Sequence, residues 1–257
     1  KEEILSALQI NTESVSKKNI KTDLAPSENS AENLNAEIKQ KKNSNSSLTL
    51  NKEGLFRNKN LMVIVLESFS FEYMGWPHGD RGYTPFLDQL AQKGVFFTNA
   101  YANGRRSIEG IAAIFAGVPA LMEEPFISSP YMTNYFVGLG SLMSSAGYQT
   151  SFFHGAKNGT MYFDQFMKSA GVKNYYGLNE YPNAKSDFDG TWGIYDEEYL
   201  QYVAKKISQD YQNYQNDKNI NGEAKNGDKN TEKNFMTAVF TLSSHNPFKV
   251  PDKYKGR

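Results

Sequence analysis

The stretch Asn60-Leu-Met-Val-Ile-Val-Leu-Glu67-Ser68 decides the fold. Six apolar residues, Leu61 to Leu66, run straight into a carboxylate. A short unbroken apolar run of this kind predicts a strand buried on both faces of a sheet. Glu67 then sits where the chain leaves that sheet. An unpaired charge beside buried apolar surface costs several kcal/mol, roughly, so Glu67 needs a partner. In open α/β sheets the carboxyl ends of the strands are where ligands bind, and a metal ion is one partner that fits.

Outward from this run, strand-like and helix-like segments alternate. Thr84-Pro85 opens a helix that Gly94 closes, with Thr84 as N-cap and Pro85 in the first turn. Val95–Tyr101 reads as a second strand. Ser107 to about Ala116 reads as a helix of small residues ended by Gly117, and Leu139–Ser145 as another ended by Gly147. Tyr148–Phe153 reads as a strand delivering His154. Thr160–Ala170 is amphipathic, and Tyr195–Ile207 is a further helix. Phe235–Leu242 is the last strand and delivers Ser243-Ser244-His245. This alternation predicts an α/β fold with a mainly parallel sheet and helices on both faces.

Composition divides the 257 residues. Residues 1–57 are rich in Asn, Lys, Ser and Glu, and nearly all of the 17 Phe and 16 Tyr follow them. Such a segment buries too little apolar surface to offset its ordering entropy, so it reads as a tether with at most a short helix near Glu2–Gln9. Residues 58–257 form the folded domain, interrupted by a polar surface insertion at 210–234. The 28 basic and 28 acidic residues cancel and form no basic stripe, which argues against a nucleic-acid partner. No apolar run is long enough to span a membrane. The absence of Cys excludes disulfides, thiolate ligands and a cysteine nucleophile.

Four polar positions fall at strand ends or strand-to-helix junctions: Glu67, His154, His245 and the segment Gly104-Arg-Arg-Ser107-Ile-Glu109. A hydroxyl at a helix N-terminus, where backbone N–H groups favour an anion, is placed to attack phosphorus. Arg106 could neutralise phosphate oxygens. Each position also has a plain structural alternative. Glu67 could cap a turn or pair with Arg, Ser107 could be an ordinary N-cap, and both histidines could be hydrogen-bonded core residues. Trp192 reads as core, and His78, in a Pro-His-Gly-Asp turn, as surface.

The ordered set Leu-Glu67-Ser, Thr84-Pro-Phe-Leu-Asp-Gln-Leu, Phe96-Phe-Thr-Asn-Ala-Tyr, Gly104-Arg-Arg-Ser-Ile-Glu-Gly, Ala116-Gly-Val-Pro, Phe153-His-Gly and Leu242-Ser-Ser-His-Asn-Pro-Phe resembles the extracellular catalytic domain of the lipoteichoic acid synthase family. That family lies in the sulfatase/alkaline phosphatase superfamily. The resemblance implies one divalent metal held by Glu67 and Ser107, manganese first, with magnesium or zinc as alternatives. It implies Ser107 as catalytic nucleophile and His154, His245 and Arg106 as substrate-binding residues. It further implies transfer of a phospholipid head group, phosphoglycerol- or phosphoethanolamine-like, to a glycan or lipid acceptor. The site would lie on the extracytoplasmic face of the membrane, anchored by helices N-terminal to this sequence.

Several departures qualify the resemblance. Met161 and Phe163 stand near the places where the synthases have Trp and Arg, so the head group need not be phosphoglycerol. The family's further metal ligands, an Asp-His pair, would lie beyond Arg257. The chain is therefore expected to be a partial catalytic domain that binds metal weakly and is inactive alone. Ser107 is followed by Ile-Glu-Gly-Ile rather than the C/S-x-P-x-R motif of formylglycine sulfatases, which disfavours sulfate-ester hydrolysis by that route. A phosphodiesterase, phosphatase or sulfuric-ester hydrolase of the same superfamily, or a catalytically dead sulfatase-like binding module, remains the alternative.

Overall fold

The structure is a computed structural model that describes residues 59–79, 82–221 and 234–255. The tether expected over 1–57 and residues 222–233 of the expected insertion lie outside the described residues.

Four parallel strands form one sheet in the order β1-β4-β2-β3, with β1 at Leu61–Val65, β2 at Gln149–His154, β3 at Asn174–Tyr176 and β4 at Phe235–Phe240. The register sets Val65, Phe240 and His154 side by side at the carboxyl edge. Among the described residues, six α-helices accompany the strands: α1 (Pro85–Lys93), α2 (Ser107–Ala116), α3 (Leu139–Ser145), α4 (Phe163–Ser169), α5 (Ala184–Asp187) and α6 (Asp196–Asn221).

Strand alternation sorts the core into two layers. On one face Phe152, Met236, Ala238 and Phe240 pack with Ile111, Ala112 and Phe115 of α2 and with Phe163, Phe166 and Met167 of α4. On the other face Phe153 and Val239 pack with Tyr199 and Val203 of α6, joined by Tyr181 and Ile194. Each fully buried Phe contributes about 1.5–3 kcal/mol of transfer free energy. The expected α/β architecture, with helices on both faces, is the one observed.

Four expectations need correction. β1 is buried on one face only, because it is the edge strand and α6 packs over β2, β3 and β4 instead; Met62 and Ile64 are 45% and 53% exposed. Val95–Tyr101 forms no strand; Val95, Phe97 and Tyr101 are exposed, so its apolar alternation meets no sheet. The helix expected over 160–170 starts as a 3₁₀ turn, Thr160–Tyr162, in which Met161 and Tyr162 take φ of 51° and 57°. The helix expected to stop at Ile207 continues to Asn221. Composition suggested a loop there, yet a surface helix needs only one covered face, and pairs such as Lys206 with Asp210 support the exposed one. Among the described residues no helix is long and apolar enough to cross a membrane.

Candidate active site

β1 ends at Val65, and the chain turns sharply two residues later. Ser68 takes φ of 53°, a left-handed conformation that costs a non-glycine residue about 1 kcal/mol or more. The turn is tied to β4 from both sides. The Glu67 amide donates to Thr241 Oγ1 at 2.9 Å, and Ser244 Oγ donates to the Glu67 carbonyl. The carboxylate is thereby fixed at the sheet edge. Its Oε1 accepts from Ser68 Oγ at 3.0 Å, and its Oε2 accepts from Ser107 Oγ at 2.7 Å.

Ser107 is the first residue of α2. Its approach is shaped by Glu109, whose Oε2 accepts from the amides of Arg105 and Arg106 at 2.9 and 3.0 Å. Glu109 Oε1 meets Arg106 Nη2 at 2.6 Å. The Arg106 side-chain bond is the main cause holding the Glu109 carboxyl below its ordinary range. Together these contacts leave the Ser107 hydroxyl at the positive end of the helix, beside a carboxylate. The hydroxyl and Glu67 come from positions 40 residues apart.

The structure brings Glu67 and Ser107 together and sets the other three candidates apart from that contact. The Arg106 guanidinium is engaged by Glu109 and by the Glu123 carbonyl, at 2.9 Å from Nη2. His154 is fully buried in the core face of β2, stacked on Phe240 at 4.8 Å between ring centres and set edge-on to Phe163 at 5.4 Å. Its Nδ1 faces the Phe240 carbonyl at 3.4 Å, while Nε2 has no partner. Burial pushes its pKa down to about 4, so the ring is neutral. His245 packs against Trp192 with ring centres 4.4 Å apart and tilted, and its Nδ1 lies 2.7 Å from the Asn246 carbonyl. Trp192, expected in the core, is 39% exposed beside it.

Two supporting residues escaped the sequence reading. Thr241 had no visible signal beyond following a strand. Asp196 had one, because an Asp opens a predicted helix there. Its half-buried carboxylate accepts from the amides of Leu242 at 2.7 Å and Ser243 at 2.9 Å, and its own amide donates to Ser243 Oγ at 2.8 Å. Burial raises its pKa against these bonds. Asp196 thus fixes the segment that leads to Ser244 and His245.

The Sulfatase family model matches residues 59–257. The chain belongs to the sulfatase family. Phosphoglycerol transferase I of Escherichia coli (strain UTI89 / UPEC) is a relative, 29% identical over 133 residues, covering 49% of this chain and 17% of that protein. Among solved structures, a protein in the alkaline phosphatase superfamily from Vibrio parahaemolyticus aligns with TM-score 0.61 and 27% identity, covering 75% of this chain and 42% of that one. The lipoteichoic acid synthase LtaP from Listeria monocytogenes aligns with the same TM-score of 0.61 at 17% identity, covering 76% of this chain and 43% of that one, and so speaks to the fold alone. This sulfatase-family chain therefore has the alkaline phosphatase superfamily fold and spans less than half the length of these relatives.

Glu67 and Ser107 offer two hard oxygen donors, one of them anionic, which suit a divalent cation in kind. In number they fall short of a full ligand set. Among the described residues no group of three or more His, Cys, Asp or Glu is placed to hold a metal ion.

Proposed function

We propose that the protein is a metal-dependent phosphotransferase that moves a phospholipid-derived head group, phosphoglycerol- or phosphoethanolamine-like, through Ser107 to a glycan or lipid acceptor of the cell envelope. One observation carries this reading: the Ser107 hydroxyl stands at a helix N-terminus and donates to Glu67 at 2.7 Å. The relatedness to phosphoglycerol transferase I supports the reaction class.

In this reading Ser107 Oγ attacks phosphorus, and its proton leaves along the bond it already donates to Glu67 Oε2. The bond from phosphorus to the donor's lipid oxygen breaks, the alkoxide takes a proton from solvent and departs as the alcohol, and the head-group phosphate is left on Ser107. Amides at the start of α2 face the phosphoryl oxygens and stabilise the charge that develops there. An acceptor hydroxyl then displaces Ser107, which regains a proton. Glu67 and Ser107 would hold a divalent cation, manganese first, and when bound it would lower the hydroxyl's pKa and withdraw charge from the phosphoryl group. His245 would contact the head group at the rim. His154 and Arg106 would do so only after leaving the contacts described above. With a phospholipid donor and an envelope acceptor, the site would work at the extracytoplasmic face of the membrane.

The test gives the full-length protein, of which this chain is read as a part, a phospholipid with a labelled head group, with manganese, magnesium or zinc, and looks for label on Ser107 by mass spectrometry. Wild type should carry it, and Ser107→Ala should lose label and turnover by about 10³-fold or more. Continued turnover by Ser107→Ala would remove Ser107 as nucleophile. Water as sole acceptor would make the protein a phosphodiesterase. No label with any metal would favour a binding module.

A further inference from the structure

The loop Asp189–Gly193 is built more firmly than a surface connection needs. Asp189 Oδ1 accepts from the amides of Thr191, Trp192 and Gly193 at 2.6, 2.8 and 3.2 Å. The Asp189 amide donates to the Gly193 carbonyl at 2.8 Å, which closes the loop on itself. Gly193 then docks on the residues that follow β2, pairing with Ala156, while the Ile194 amide donates to the Gly155 carbonyl at 3.1 Å. A Cβ at Gly193 would lie 2.3 Å from the Gly155 oxygen, so only glycine permits this approach. On its other side the loop ties to the segment after β4. Trp192 Nε1–H donates to the Asn246 carbonyl at 2.7 Å, and Lys249 Nζ donates to the Asp189 carbonyl at 3.0 Å. The loop therefore bridges the ends of two strands.

The Asn246 carbonyl receives a second bond, from His245 Nδ1 at 2.7 Å. A carbonyl oxygen only accepts, so Nδ1 must carry the proton. In neutral His245 this leaves Nε2 with the lone pair. The carbonyl has two lone pairs, and Trp192 and His245 take one each. The Trp192 ring also packs against the imidazole at 4.4 Å with a 55° tilt.

We infer that Trp192, held by the Asp189–Gly193 loop, is a positioning residue that fixes His245 in its Nδ1–H tautomer and aims Nε2 as a hydrogen-bond acceptor. The role of that acceptor rests on the proposed transferase reading, in which Nε2 receives the hydroxyl of the head group or of the acceptor alcohol. The tautomer itself does not depend on that reading. If the Trp192 N–H is lost, the Asn246 carbonyl can turn away and the imidazole is released from both its hydrogen bond and its wall.

The chain has only three histidines, which makes ¹⁵N-histidine NMR decisive. His78→Gln and His154→Phe assign the remaining signals. Wild-type His245 should populate the Nδ1–H tautomer, and Trp192→Phe, which keeps a ring and removes the donor, should shift the tautomer ratio about fivefold toward Nε2–H. Lys249→Met cuts the loop's other tie and should move the ratio in the same direction, which keeps the test open if Trp192→Phe does not fold. An Nε2–H tautomer in wild type, or an unchanged ratio in the variants, would overturn the positioning role. In the labelled phospholipid assay Trp192→Phe should lower kcat about tenfold with KM little changed. Loss through KM alone would mark Trp192 as a binding surface and overturn the inference. A full-length wild type with no transfer at all refutes the functional reading, while the tautomer measurement still decides the positioning.

Discussion

His154 and Ser107 lie at opposite extremes of what a polar side chain meets at a strand end. Ser107 has a charged partner and solvent nearby, whereas His154 has three aromatic neighbours and an unpartnered Nε2. The cost of that burial is readable in acid. Unfolded, the imidazole takes a proton near its ordinary 6.5; folded, it resists until about 4. Between those values the unfolded state binds more protons, so stability rises with pH. Its contribution is complete above about 6.5 and falls by about 3 kcal/mol as pH drops to 4. Urea midpoints measured from pH 7 to 4 should show this slope in wild type and lose it in His154→Phe. An identical slope in the variant would assign the acid sensitivity elsewhere.

At the scale of elements, the site depends on how strand exits are held. Asp196, in the first turn of α6, receives two amides from the segment after β4. Asp196→Asn leaves one oxygen where two amides need acceptors, and should cost about 1.5–3 kcal/mol by thermal or urea unfolding. A change under half a kcal/mol would show that the segment has other anchors. A second element contact is steric. Gly140 in α3 lies against the Ala170–Val172 backbone, where an added Cβ would come within 2.5 Å of the Val172 nitrogen. Gly140→Ala should destabilise by about 1–3 kcal/mol despite its better helix propensity. These elements differ in how legible they were. α2 and α3 could be read because small or apolar residues end in Gly117 and Gly147. Glu67 and Ser107 could be read because a carboxylate and a hydroxyl stand at a strand end and a helix start. β3 could not, since three residues carry no period, and the failed strand at Val95–Tyr101 had the pattern without a neighbour to pair with. The placement of His154 in the core and of Trp192 at the rim depends on tertiary contacts that no local pattern encodes.

For the whole molecule, the two layers differ in how completely they cover the sheet. One is closed by α2, α3 and α4, and the other by α6 over three of the four strands. Substitutions should follow that division. Ile64→Thr, on the uncovered side of β1, should stay within about 0.5 kcal/mol of wild type in urea unfolding, whereas Phe152→Ala should lose about 3–5 kcal/mol. Equal losses would mean that β1 is buried on both faces in solution. The strand order carries a further consequence, one of timing. β4 follows β1, β2 and β3 in the sequence, yet it sits between β1 and β2, and Glu67 reaches its anchor Thr241 across 174 residues. Until that strand emerges from the ribosome, β1 has no neighbour and the turn at Ser68 has nothing to hold it. Assembly is therefore limited by long-range pairing rather than by local helices. A nascent chain released early would carry Ser107 but not the frame that holds Glu67 against it, so their contact is withheld until synthesis has passed β4.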